Sequence, residues 1–104
     1  MEPYHRYASL LRVLANPDRL NLLDLLLDRE LTVPEIQQWV SLDYAILSRH
    51  LAILRQTGLV KERRTGRVLH YSSDAEMATA LFEVIDRASH LNPHSRSKED
   101  SLLR

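Results

Sequence analysis

The sequence has no cysteine, only two glycines, and no apolar run approaching the ~20 residues that a membrane-spanning helix requires. The missing cysteines exclude disulfides, thiolate zinc sites and thiol-based redox sensing, and they fit a reducing compartment. The opening "MEPYHRYASL" lacks the basic and apolar regions of a secretory signal, so a cytoplasmic protein with no membrane partner is expected. There is no glycine-rich phosphate loop, no paired acid motif and no nucleophile and base at recognisable spacing. Enzyme chemistry is therefore not expected. Internal repeats and low-complexity tracts are also lacking.

What is present is one small domain's worth of chain, 104 residues with 44% hydrophobic composition. A chain of this size buries a modest share of its surface, which raises the expectation that a partner subunit completes the burial. Fourteen basic and fourteen acidic residues cancel to a formal net charge of zero, which argues against a uniformly basic nucleic-acid binder. The distribution is uneven. Residues 43 to 73 hold six Lys/Arg against two Asp/Glu, while the segments on either side each hold four against six. A basic island between acidic flanks is what a local phosphate-facing surface requires.

"PYHRYASLLRVLA" spaces Tyr4, Tyr7, Ala8, Leu11 and Leu14 for one face of a helix over about residues 3 to 15. In "NPDRLNLLDLLLD", Asn16 is a good N-cap, Pro17 suits the first helical position, and six leucines between 20 and 27 predict a helix in the middle of the core. "LTVPEIQQWV" opens a short third helix, with Thr32 and Glu35 at capping-box spacing and Leu31 placed to staple onto Ile36. A brief turn leads to Asp43 as the next N-cap, a longer helix, and Gly58 as its stop. Short helix, tight turn and longer helix make a helix-turn-helix. "LVKERR" and "RVLHYS" read as two strands reversing at Thr65-Gly66, and a basic hairpin directly after a helix-turn-helix is a wing. From Asp74 a last helix is expected to run to about Leu91. The domain is thus expected over residues 1 to 91, with a flexible tail over 92 to 104. The fold class is mainly α with a β-hairpin wing, in the order α-α-α-α-β-β-α.

The last helix has more apolar surface than one face needs. Met77, Leu81, Val84, Ala88 and Leu91 form one stripe, and Ala78, Phe82 and Ile85 a neighbouring one. A homodimer joined by this spare stripe and by Tyr7, Leu11 and Leu14 of the first helix is the simplest use for it; the alternative is a single wide core-facing stripe.

Winding residues 43 to 55 at about 100° per residue puts Ile46, Leu47, His50, Leu51 and Leu54 on one arc, with Ile53 and Tyr44 at its borders. Ala45, Ser48, Arg49, Ala52 and Arg55 fall on the other. Small residues give clearance for close approach to a groove, and Ser or Arg can make contacts there.

These residues carry a resemblance. "LLRVLANPDRLNLLDLLLDRELTVPEI", the turn into "LSRHLAILRQTGLVKERRTGRVLHYS" and the closing helix resemble the ArsR/SmtB group of bacterial winged helix-turn-helix repressors over roughly residues 6 to 91. The most specific parts are "LANPDRL", "ELTVPEI", "SRHLAILRQTGLV" and "RRTGR", in that order. The resemblance implies a homodimer through first and last helices, recognition helices in successive major grooves of a palindromic double-stranded operator, wings beside the DNA, and release when an effector binds. It places Asp43, Tyr44, Ala45, Ser48, Arg49 and His50 on the recognition helix nearest DNA, and Arg63, Arg64 and Arg67 on the wing. Ala45 is expected against thymine methyl groups and Tyr44 against a phosphate or base edge, with direct readout leaning on Ser48 and Arg49. Ser41 stands where such proteins commonly have a turn glycine, at a cost on the order of 1 kcal/mol if that residue is left-handed.

Each assignment has a plainer alternative. Arg49 and Arg55 are solvated surface charges in that reading, and His50, at the edge of the buried arc, is a hydrogen-bonded structural histidine. Trp39 is expected beneath the first helix or at a subunit seam. The group's third-helix metal site needs cysteines that "ELTVPEI" lacks. Asp86, His90 and His94 recur every four residues, which on a continuous helix aligns three ligands for zinc or another divalent metal as effector, with His5 a further donor. Pro93 disfavours helix at Asn92, so surface histidines are the alternative. The function expected is a sequence-specific, dimeric transcriptional repressor; the alternative is a winged-helix interaction module that does not read DNA specifically.

Overall fold

The structure, a computed structural model, describes residues 2–90, so the expected tail, Leu91 and His94 lie outside the described residues. Its elements follow the expected order: α1 (Pro3–Leu14), α2 (Pro17–Leu25), α3 (Val33–Gln37), α4 (Tyr44–Thr57), β1 (Val60–Thr65), β2 (Val68–Ser73) and α5 (Ala75–Ser89). No helix among the described residues is long and apolar enough to cross a membrane.

The helix starts are set by local chemistry. The Asn16 side chain accepts from the Arg19 N–H at 3.1 Å, Asp43 from Ile46 at 2.9 Å, and Asp74 from Met77 at 3.1 Å, each occupying a donor the helix itself cannot satisfy. At α3 both halves of the capping box form, Glu35 N–H to Thr32 Oγ1 at 3.4 Å and Thr32 N–H to Glu35 Oε1 at 2.9 Å. The second bond and the Thr32 hydroxyl hold the Glu35 carboxyl below the ordinary carboxylate range. Gly58 closes α4 at φ 82°, a left-handed conformation that a side chain would strain. Ser41 escapes the anticipated cost, because no described residue other than glycine has positive φ.

Leu22, Leu23 and Leu26 from α2, Ile36 from α3 and Leu47, Leu51 and Leu54 from α4 are fully buried, joined by Leu59, Val60 and Tyr71 from the hairpin. Burying each such leucine is worth roughly 1.5–3 kcal/mol. Leu14, assigned to the dimer seam from the sequence, belongs to this core instead at 5% exposure, because the last turn of α1 faces α2. The last helix turns Ala78 inward, with Leu81 and Phe82 half-buried, so the stripe facing the core is mixed from both stripes expected.

β1 and β2 pair antiparallel, from Val60↔Ser73 to Thr65↔Val68. The reversal is therefore Gly66-Arg67, one residue later than the sequence suggested. Gly66 supplies the positive φ, 63°, at the first of two loop positions, the glycine-first pattern of tight hairpins. Leu31 forms an isolated bridge to Tyr71, accepting and donating at 2.8 and 2.9 Å, and so adds an edge contact to β2. At the other end of β2, Ser73 donates its N–H to the Leu26 carbonyl (2.9 Å) and its hydroxyl to that of Leu23 (2.8 Å), tying the hairpin base to α2. Beyond Val60, β1 is exposed along its whole length, so the hairpin tip stands clear of the core.

Candidate nucleic-acid interface

The exposed side of α4 and the hairpin tip are the places where the basic island reaches solvent. At about 100° per residue, Ala45, Arg49 and Gln56 fall within about 40° of one another, opposite the buried row of Leu47, Leu51 and Leu54. All three are exposed. Ser48 and Ala52 flank this ridge and are half-buried rather than fully outward. Ile46, expected inside, is 47% exposed: it lies about 100° from the centre of the buried row, outside the arc that Leu47, Leu51 and Leu54 bury. With Tyr44, 64% exposed, it gives the front of α4 an apolar lip beside small Ala45.

His50 takes the structural role. Its Nδ1 accepts from Arg19 Nε at 3.2 Å, and its Nε2 stands 4.0 Å from Asp18 Oδ2. Arg19 also donates to the Val13 carbonyl at 3.0 Å, so one side chain ties α1, α2 and α4 together. Asp43 is occupied as the N-cap of α4, and its charge favours the helix's positive end.

The basic island separates into two groups. Arg55 faces Glu62 at 3.7 Å, Lys61 faces Asp74 at 3.8 Å, and Arg63 is held by Glu30. That last pair is bidentate: Arg63 Nη2 to Oε1 at 2.6 Å and Nε to Oε2 at 3.0 Å, with Nη1 donating to Thr65 Oγ1 at 2.7 Å. The guanidinium holds the Glu30 carboxyl below its ordinary range. The side chains of Arg49, Arg64 and Arg67 make no hydrogen bond or ion pair among the described residues and are exposed. Unpaired cations on α4 and at the wing tip, together with the positive end of the α4 dipole, form a surface suited to a polyanion.

Trp39 lies neither under α1 nor in the core. It is 62% exposed just past α3, with the Arg29 guanidinium over its ring at 5.1 Å. Of the proposed metal ligands, Asp86 Oδ1 and His90 Nε2 are 3.4 Å apart, His5 stands by Glu2 at 3.5 Å, and His94 lies outside the described residues. Two donors do not make a tetrahedral site, and no group of three His, Asp or Glu is assembled among the described residues.

Sequence reasoning missed Arg19, Glu30 and the Leu31–Tyr71 bridge, all contacts between residues far apart in the chain, for which no spacing rule gives a signal. On α1 and α5, Tyr7, Leu11, Met77, Val84 and Ala88 are exposed, and Leu10, Met77 and Val84 line a groove of about 260 Å³ floored by Leu14 and Leu81.

Comparison with known proteins agrees with this geometry. The family described as bacterial regulatory protein, arsR family, matches residues 16–62. HlyU of Vibrio cholerae, named a transcriptional activator, is 38% identical over 78 residues, covering 75% of this chain and 72% of its own. The crystal structure of Rv0081 from Mycobacterium tuberculosis superposes with a TM-score of 0.77 at 32% identity, covering 98% of this chain and 99% of that one. The homodimeric winged helix-turn-helix DNA-binding domain of Mb0332 from Mycobacterium bovis, solved by NMR, superposes with a TM-score of 0.73 at 31% identity, covering 86% and 84%.

Proposed function

This chain belongs to the ArsR family of bacterial regulatory proteins and is a DNA-binding transcriptional regulator, and on that premise we propose that it acts in the cytoplasm as a homodimer that sets its two α4 helices in successive major grooves of a palindromic operator. The observation that carries this reading is the division of the basic island, which leaves Arg49, Arg64 and Arg67 without partners on α4 and the wing tip. Arg49 is the base-reading arginine, Ala45 and Ile46 pack against thymine methyl groups, and Tyr44 and Ser48 contact the backbone or base edges beside them. Arg64 and Arg67 neutralise phosphates next to the groove. Dimerisation uses the exposed apolar faces of α1 and α5, with Tyr7, Leu11, Met77, Val84 and Ala88 at the seam and Leu81 behind it.

A dimer seated on a promoter excludes polymerase, so repression is the output proposed; activation is the second reading, carried by the name of HlyU. Selection of bound fragments from random-sequence duplexes tests the reading. Inverted half-sites with centres about 34 Å apart, or a multiple of it, support the proposal, and enrichment of no sequence overturns it.

A further inference from the structure

The wing is fastened to the body at two points by neighbouring residues of the α2–α3 loop. Leu31 pairs through its backbone with Tyr71 of β2, and β2 pairs with β1, so the Glu30 side chain has to cross β2 to reach Arg63 on β1. It crosses on the face where His70 stands directly opposite Arg63 in the register, and Thr65 shares that face two residues further along β1. All three guanidinium nitrogens of Arg63 are engaged, two by Glu30 and one by Thr65. The pair is solvent-exposed, and exposed ion pairs contribute little to stability. Its bidentate geometry, by contrast, fixes direction, because a planar guanidinium meets a carboxylate side-on in one orientation. The pair lies immediately before the tip that carries Arg64 and Arg67, and the loop that supplies Glu30 runs on into α3, whose far end leads into α4.

We propose that Glu30 is a positioning residue of the DNA interface: strapped across the wing to Arg63, it holds Arg64 and Arg67 at a set offset from α4 and keeps Arg63 itself out of the phosphate contacts. This inference rests on the DNA-binding reading and deepens it. An Arg63 bound to a carboxylate brings no net charge to DNA, so the wing's charge contribution comes from the tip. Without the strap, residues 63–65 of β1 retain only their pairing to β2, because the Arg55–Glu62 and Lys61–Asp74 pairs lie nearer the hairpin base. The tip can then swing, and affinity for an operator that needs wing and helix in register falls, while loose attachment to any duplex does not.

The experiment compares wild type, Glu30→Gln, Arg63→Glu and the exchange Glu30→Arg/Arg63→Glu, each confirmed folded by circular dichroism. The probes are a duplex enriched by the wild-type protein from random sequence and an unrelated duplex of equal length. Glu30→Gln should weaken binding to the enriched duplex by about tenfold, the size of one coupled polar contact, with no loss on the unrelated duplex. Because the freed Arg63 can then meet a phosphate, its salt slope should rise by up to about 0.9 for each phosphate so neutralised. Arg63→Glu should lose affinity, and the exchange, which restores the strap with reversed polarity, should recover most of it. An exchange that binds no better than Arg63→Glu would show Arg63 to be a direct phosphate contact and overturn the proposal, as would a Glu30→Gln protein equal to wild type. Failure of the wild-type protein to enrich any sequence overturns the DNA-binding reading and this inference with it.

Discussion

At the scale of single residues, the partner each arginine has inside the protein decides what it offers outside. Arg55 beside Glu62 and Lys61 beside Asp74 bring little net charge to a ligand, whereas Arg64 and Arg67 bring a full charge each. Replacing Arg64 or Arg67 by Ala should weaken binding to all duplexes about equally and lower the slope of log K against log salt by about 1 for each phosphate left without its cation. Arg55→Ala should stay within about threefold of wild type, in keeping with an exposed pair worth under about 1 kcal/mol. Titrations at several salt concentrations check this, and an Arg55→Ala loss as large as that at Arg64 would show the division to be wrong. This division could not be read from the sequence, which displays six cations and two acids in residues 43 to 73 but gives no sign that Glu30 comes back to Arg63 from 33 positions away. His50 is similar: its position bordering the buried arc was legible, its bond to Arg19 was not.

At the scale of elements, legibility followed the range of the interaction. Caps at Asn16, Thr32, Asp43 and Asp74 and the stop at Gly58 depend on neighbours within a few positions, and each is found where the sequence places it. The hairpin reversal moved by one residue because Thr65 and Gly66 both tolerate a turn, and only the pairing of Thr65 with Val68 decides the register. Ile46 went outward because helical winding ranks faces without knowing where the core stops. Thr32→Ala should cost about 1 kcal/mol in urea unfolding, since it removes the hydroxyl half of the α3 cap. Leu51→Ala, at the centre of α4's buried row, should cost about 2–5 kcal/mol. The lowered carboxyls give a pH window. Glu30 and Glu35 favour their charged forms in the folded state, so what they contribute is present in full above the ordinary glutamate value of about 4.3 and is lost as pH falls through their depressed values. The urea midpoint should therefore lose these contributions only below about pH 4.3. A loss of the same contributions between neutral pH and about 5, abolished by Glu30→Gln or Glu35→Gln, would contradict the assignment.

At the scale of the whole molecule, two surfaces are left over after the core is complete: the apolar faces of α1 and α5, and the cationic ridge of α4 with the wing tip. Leu11→Asp or Val84→Asp should leave a folded chain that sediments as a monomer, because both side chains are more than 60% exposed here. Leu14→Asp should instead unfold the domain by burying a charge among the α2 leucines. The fold order was legible in full because capping, period and turn chemistry agree along the chain. Which apolar residues close the core and which remain for a partner was only half legible, as Leu14 shows, because both uses share one helical spacing. The most direct test of the central claim, that α4 reads DNA through its exposed ridge, is the binding of wild type and Arg49→Ala to an enriched palindromic duplex and to an unrelated one. Removing one base-reading arginine from each subunit, each worth at least roughly 1 kcal/mol, predicts a fall of about 30-fold or more on the palindrome, with the dimer intact and affinity for the unrelated duplex nearly unchanged. Equal affinity of the two proteins for the palindrome would contradict it.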